Sequence, residues 1–256
     1  MIEDKIRIGT SGYTYSWNKA KPNAFEWYIN QGFNSVEINY SFYRFPPAAS
    51  INLWRIKAPQ DFTFSIKVHR SITHYNRLKQ PRSSQLWDEF LKVFESLEHK
   101  IDFWLFQMPA NFKFNAENMD RIRCFFNSQS LQHQIAVRKK LVIEFRDSSW
   151  WNDSALEEIE KEGISFCSVD APSLSNAIIA LNNAIYLRLH GTMTWYNYLY
   201  PEQRLREIVS ALTSTQAQKK AIYLNNDHGM LHNGLFLMKS FFKSHNGAES
   251  HWQQNT

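Results

Sequence analysis

The chain has 256 residues, 43% of them hydrophobic, and a formal net charge of +5. At that length about three quarters of the unfolded surface is buried on folding, so neither a disulfide framework nor a structural metal is needed to hold a core. No apolar run approaches the roughly 20 residues of a membrane-spanning helix, and so modest a positive excess permits nucleic-acid binding without arguing for it.

A first strand is predicted over 5–10, running into a turn-rich Ser11-Gly12. The start, Met1-Ile2-Glu3-Asp4-Lys5, carries no apolar secretory stretch, so a cytoplasmic protein with no membrane partner is expected. A helix over 23–31 stops at Gly32, the residue type usual beyond a helix C-terminus. Strand two covers 35–39, a short helix spans 49–57 before Pro59, and strand three covers 62–68. After a long loop, a helix over 84–97 sets Leu86, Phe90, Val93, Phe94 and Leu97 on one stripe.

Strand four (103–107) leads to a helix over 116–127 with Met119, Ile122 and Phe126 on one side, and strand five covers 141–146. The next helix opens with the capping-box spacing of Ser154-Ala155-Leu156-Glu157 and closes at Gly163. Strands six (165–170) and seven (184–190) are separated by too few residues for a full helix and two loops, so that crossover should be degenerate. A helix carrying Leu205, Ile208, Val209 and Leu212, strand eight (221–225), and a helix carrying Leu231, Leu235, Met238 and Phe242 complete the series. Residues 1–245 read as a single domain and 246–256 as a polar tail. Cys124 falls in a helical pattern and Cys167 on an apolar strand position, which suits reduced core thiols.

In most of the strands one alternating set is apolar and the other polar. Val36 and Ile38 alternate with Glu37 and Asn39; Phe64, Ile66 and Val68 with Ser65, Lys67 and His69; Ile143 and Phe145 with Glu144 and Arg146; Leu187 and Leu189 with Tyr186, Arg188 and His190. Strands separated by helices pair in parallel and are covered on both faces. A polar set buried there must pair with itself, meet water, or meet a ligand, because unpaired buried charge is expensive. Eight strand-then-helix units predict an α/β fold, a single (β/α)8 TIM-type barrel with the polar set inside. An open doubly wound sheet is the alternative, but Gly9-Thr10-Ser11-Gly12-Tyr13 is not the G-x-G-x-x-G phosphate turn of its nucleotide-binding version.

Barrel sites form at the C-terminal ends of the strands. There the chain offers Ser11, Glu37 and Asn39, Lys67 and His69, Gln107, Glu144 and Arg146, Asp170, Arg188 and His190, and Asn225 with Asn226. Polar parity sets Glu37, Glu144 and Asp170 inward against Arg7, Lys67, Arg146 and Arg188, a nearly neutral cavity with a slight cationic surplus that suits an anionic or polyhydroxylated small molecule. General acid/base work falls to Glu144 or Glu37 with His190, while Arg146, Arg188 or Lys67 stabilises developing negative charge.

Aromatic residues crowd the same loops. Of these, Tyr13, Tyr43 and Trp150 are read as substrate contacts, together with Ser11, Asn39, His74, Gln107, Asn225 and Asn226. The basic loop after strand three, with Arg70, His74, Arg77, Lys79 and Arg82 around Tyr75, suits phosphate contacts or solvent equally. No H-x-H, H-E-x-x-H or paired Asp/His motif appears, so chemistry without a required cofactor is favoured over a divalent metal. The plainer alternative is an ion-pair lattice that only fills the barrel, although hydrophobic layers would fill it at lower desolvation cost.

Several stretches together resemble the YecE-like family, a domain of unknown function (DUF72). They are Ile8-Gly9-Thr10-Ser11-Gly12-Tyr13, Val36-Glu37-Ile38-Asn39 with Phe42-Tyr43-Arg44, Lys67 with Ile72-Thr73-His74, Phe106-Gln107-Met108-Pro109, Glu144-Phe145-Arg146 with Ser149-Trp150, and Tyr186 to Gly191. The resemblance implies a TIM-type barrel and no particular reaction. Where the family commonly has Arg-His before Ser-Trp this chain has Arg146-Asp147, and after Asn225-Asn226 the helix start fits the family pattern only loosely. The expectation is an acid/base enzyme for a sugar-like or phosphorylated small molecule. A metal-dependent nucleic-acid phosphodiesterase and a non-catalytic ligand-binding module are the alternatives.

Overall fold

The computed structural model describes residues 6–128 and 135–242; the first residue of the first expected strand and the expected polar tail lie outside them. Eight parallel strands run β1 (Ile6–Thr10), β2 (Ser35–Ile38), β3 (Thr63–Lys67), β4 (Ile101–Gln107), β5 (Leu141–Glu144), β6 (Ser165–Asp170), β7 (Ala184–Leu189) and β8 (Lys219–Leu224), laddered in the order β1-β8-β7-β6-β5-β4-β3-β2. Around them lie α1 (Ala24–Asn30), α2 (Ala48–Lys57), α3 (Arg82–Val93), α4 (Ala116–Phe126), α5 (Asp153–Lys161), α6 (Glu202–Ser214) and α7 (Gly229–Phe242). This is a TIM-type (β/α)8 barrel, and no helix interrupts the crossover between β6 and β7.

Local chemistry moved some element ends. The helix expected over 84–97 divides at Phe94 into α3 and a 3-10 segment, Glu95–Lys100. The loop after β3 holds a π-helical turn, Ser71–Tyr75, and a helical turn not foreseen in the sequence covers Ile135–Arg138. The cap of α5 is Asn152, whose side chain accepts from the Ala155 N–H, so the Ser154 capping box is not the one used.

The outward residues of the strands, among them Ile8, Val36, Ile66, Phe106, Ile143 and Leu187, pack under the helices with large rings such as Trp54, Trp87 and Trp104. Inside the barrel, Phe103, Leu105, Val142, Cys167, Val169, Tyr186 and Tyr223 form a separate apolar cluster. The buried charged residues of the upper interior, Glu37, Lys67, Glu144 and Arg188, come from β2, β3, β5 and β7.

β1 and β2 close the ring without a backbone ladder between them. Side chains bridge the seam. The Tyr28 hydroxyl of α1 accepts from the Thr10 N–H at 2.9 Å and donates to the Ser35 carbonyl at 2.9 Å. The Asn34 amide does the same lower down, accepting from the Ile8 N–H at 2.8 Å and donating to the Ile6 carbonyl at 2.9 Å. Backbone groups that a ladder would satisfy are thus satisfied by two polar side chains, as buried amides require. Gly9 is needed here for space, since a Cβ at that position would lie 2.2 Å from the Ser35 carbonyl oxygen.

Candidate functional site at the barrel mouth

The interior polar groups stack in tiers. At the bottom Arg7 pairs with Asp102 through Nε at 2.8 Å, which takes Arg7 out of the cavity expected at the other end. Just above, the Ser35 and Tyr223 hydroxyls lie 2.7 Å apart. In the next tier the Tyr186 hydroxyl donates to Glu37 Oε2 at 2.6 Å and receives the Ser65 hydroxyl at 2.6 Å.

The top tier is an ion-pair lattice. Arg188 spans two acids, donating from Nη2 to Glu37 Oε1 and from Nη1 to Glu144 Oε2, both at 2.7 Å. Ser11 donates to Glu37 Oε1 at 2.7 Å, and Gln107 to Glu144 Oε1 at 3.0 Å. Arg146 Nε also donates to Glu144 Oε1, its guanidinium lies 4.6 Å from the Trp195 ring centre, and its Nη2 stands 3.1 Å from His190 Nε2. A guanidinium can only donate, so His190 accepts through Nε2 and carries its proton on Nδ1. That Nδ1, Arg188 Nε and Asn39 Oδ1 are buried without a protein partner among the described residues. Cys167 lies beneath, its thiol 3.8 Å from Glu144 Oε2, with burial pushing its pKa well up.

The charge states follow from burial weighed against neighbours. Burial alone would raise the Glu144 carboxyl, but Arg146 and Arg188 outweigh it and hold the group well below the usual carboxylate range. Burial opposes charge on Arg188, yet Glu144 and Glu37 keep it firmly protonated. His190 is driven well below the ordinary imidazole value by burial, with Arg188 and Arg146 adding to the effect.

Lys67 differs from all of these. It is 9% exposed, and burial together with the Arg188 charge lowers its pKa from 10.5 to about 7, against the opposing pull of Glu144 and Glu37. Its Nζ makes no hydrogen bond among the described residues and lies over the face of Phe42, 4.2 Å from the ring centre. At a desolvated site that contact favours the ammonium by about 2 kcal/mol, less than half of the roughly 5 kcal/mol that a lowering from 10.5 to about 7 represents at about 1.4 kcal/mol per unit, so burial wins.

The expected site residues divide into two groups. Ser11, Glu37, Lys67, Gln107, Glu144, Arg146, Arg188 and His190 converge as described, and Asn39 joins them through a 3.4 Å contact from its Nδ2 to the Ser11 carbonyl. His74 stands at the edge of the Phe42 ring, 4.8 Å between centres, and is pushed down to about 4 by burial and then Lys67. Tyr43 is exposed on the rim beside Arg70, and Asn225, half-buried, ends the inward set of β8.

Four residues sit elsewhere. Asp170 points outward and pairs with Arg204 of α6 at 3.1 Å, because the inward positions of β6 are the apolar Cys167 and Val169. Tyr13 packs among Phe25 and Tyr28 and receives the Trp54 indole N–H at 2.9 Å, in the helix layer. Trp150 is fully buried, stacked on Phe145 with ring centres 3.7 Å apart and donating to the Phe112 carbonyl. Asn226 ties the loop after β7 to α7 through the Tyr198 carbonyl and Asn233.

Sequence reasoning missed the parts played by Trp195 and Phe42, the rings that flank Arg146 and Lys67. Only their place in loops after strands hinted at them. Among the described residues, no group of three His, Cys, Asp or Glu side chains is arranged to hold a metal ion, and no helix is long and apolar enough to cross a membrane.

The family described as "Protein of unknown function DUF72" matches residues 7–251. The chain belongs to the DUF72 family. A DUF72 protein from Thermotoga maritima MSB8 shares 25% identity and superposes with a TM-score of 0.78, covering 93% of this chain and 99% of that one. A DUF72 protein from Enterococcus faecalis V583 has 20% identity and a TM-score of 0.75, covering 92% of this chain and 94% of its own. The UPF0759 protein YunF of Bacillus subtilis (strain 168) is 25% identical over 228 residues, 77% of this chain and 78% of that protein. SacUVDE, at 11% identity and a TM-score of 0.55 over 94% of this chain and 99% of its own, shares the fold alone.

Proposed function

We propose that this DUF72 chain is an enzyme carrying out acid/base chemistry in the barrel mouth on a small anionic or polyhydroxylated molecule, with Lys67 as the proton-carrying group. The observation that carries the reading is the Lys67 amine, buried beside two carboxylates yet hydrogen-bonded to neither, with a pKa brought to about 7. A proton-transfer group works best with its pKa near the working pH. The carboxylates are poorer candidates, because Glu37 and Glu144 are occupied by Arg188, Arg146, Tyr186, Ser11 and Gln107. Donor-rich Arg146 and Arg188, with orphaned donors on Arg188 Nε and His190 Nδ1, favour an acceptor-rich ligand.

The test pairs a panel of anionic metabolites and sugars, read by the rise in melting temperature they cause, with competitive acetylation of Lys67 across pH. The proposal expects a ligand whose stabilisation disappears in Lys67→Met and Arg146→Met, and a Lys67 amine titrating near 7. A lysine titrating near its ordinary value, or a mouth ligand indifferent to both substitutions, refutes it.

A second reading, a nucleic-acid phosphodiesterase, rests on Arg70, which lies 5.6 Å from the Tyr43 ring and 5.4 Å from that of Tyr75, both rings more than half exposed. Such a cluster suits stacked bases and phosphate. Steeply salt-dependent binding of single-stranded oligonucleotides supports it; undetectable binding at low salt removes it.

A further inference from the structure

We infer that Lys67 is a nucleophile, condensing through its Nζ with the carbonyl carbon of a small anionic aldehyde or ketone to form an imine in the barrel mouth. The inference rests on the small-molecule reading above and adds the class of substrate to it.

Saturation of the neighbouring acids is the first support. A lysine placed to hold the barrel together would pair with Glu37 or Glu144. Arg188, Ser11 and Tyr186 serve Glu37, while Arg188, Arg146 and Gln107 serve Glu144, so the amine is left without a protein acceptor among the described residues. Lys220, also buried, gives its Nζ to the Thr215 carbonyl at 3.0 Å, which is how a structural lysine is accommodated.

Delivery from a rigid element is the second. Lys67 ends β3, its carbonyl is held by the Ser41 hydroxyl at 2.6 Å, and the next residue's N–H donates to the Leu105 carbonyl at 2.9 Å. Arg188, Arg146, Glu144, Glu37, His74 and His190 are the charged and titratable groups around it among the described residues. Their low combined charge and the apolar Phe42 face leave a share of the amine unprotonated near neutral pH, the condition for attack by a lysine.

In the step itself the Nζ lone pair forms the C–N bond and the carbonyl π pair moves to oxygen, which takes a proton to give a carbinolamine. The two Nζ protons pass in turn to that oxygen, the first on addition and the second as the nitrogen lone pair expels it as water, leaving the C=N bond. One water is released and nothing is oxidised or reduced. The anionic end of the substrate is placed beside Arg146, whose Nη1 makes no hydrogen bond among the described residues.

Trapping tests this directly. The full chain is incubated at pH 6.5 with glyoxylate, pyruvate or glyceraldehyde 3-phosphate and sodium cyanoborohydride, which fixes an imine as a stable secondary amine, and the adduct is mapped by peptide mass. At least one probe should label Lys67 about tenfold or more above any other lysine, since ordinary amines are almost wholly protonated there. That adduct should vanish in Lys67→Met and Lys67→Arg. No Lys67 adduct with any probe, or labelling spread over surface lysines, overturns the inference. Competitive acetylation tells the two failures apart: Lys67 titrating near 7 without an adduct leaves the acid/base reading standing, whereas titration near the ordinary lysine value sinks both.

Discussion

Replacing Arg188 with methionine removes the one cation that joins Glu37 to Glu144, both fully buried. Breaking a buried pair by deleting one partner costs about 3–5 kcal/mol, because a charge is left uncompensated. Two pairs are lost here, yet Glu37 keeps Ser11 and Tyr186 and Glu144 keeps Gln107 and Arg146, so the loss should stay in the range of one pair. Against a typical total stability of about 5–15 kcal/mol, that is a large share. Urea unfolding at pH 8 reads it as a lowered midpoint at constant slope.

The pH dependence has a definite sign. In the variant Glu144 keeps Arg146 but loses Arg188, one of the two guanidinium charges that lower it, so its folded value moves up towards the ordinary one; the deficit should be fully present above about pH 4.5 and shrink as pH falls below that. In the native protein the depressed Glu144 contributes stability above its ordinary value of 4.5, which is lost as pH falls through the lower folded value. Adding Glu37→Gln and Glu144→Gln to the methionine variant should restore about 2 kcal/mol or more, since the uncompensated charges go. A methionine variant within about 1 kcal/mol of the native protein at pH 8 would overturn the lattice energetics, as would a triple variant that recovers nothing.

Lys67→Met should stabilise the protein at pH 7 by on the order of 4–5 kcal/mol, because lowering an amine from 10.5 to about 7 costs the fold about 1.4 kcal/mol per unit. Native stability should then rise with pH between 7 and 10.5 while the variant's does not; parallel curves would refute the neutral amine. Tyr28→Phe leaves the Thr10 N–H and Ser35 carbonyl unsatisfied and should cost about 2–4 kcal/mol. Hydrogen exchange at the Thr10 amide should quicken in that variant, and an unchanged rate counts against the bridge. Gly9→Ala should be worse, since its Cβ would meet the Ser35 carbonyl at 2.2 Å, and a fully stable alanine variant would show that the seam yields.

Most of the barrel and the charged residues of its upper interior were legible because parallel strands covered on both faces have no reason to carry alternating charge unless one face is polar by design. Glu37, Lys67, Glu144 and Arg188 announce themselves in this way. Asp170 misled because polarity was equated with facing inward. In β6 the alternation is inverted, and the outward carboxylate is compensated by Arg204, far along the chain and invisible to a local pattern. Trp150 and Tyr13 misled for a related reason. A loop after a strand can turn down into the helix layer, and Phe145 and Phe25 offered each ring an apolar seat that only tertiary packing reveals. The neutrality of Lys67 was equally hidden, since it depends on other side chains having already filled both acids.

The unladdered join between β1 and β2 makes this barrel a split ring with a clasp. β1 is held by a full set of backbone bonds to β8 and, on its other edge, by a phenol and an amide. Forced apart, the seam would give way side chain by side chain, from the Tyr28 and Asn34 bridges to the Ser11 hydrogen bond with Glu37, while the eight-stave sheet from β2 round to β1 keeps every backbone rung.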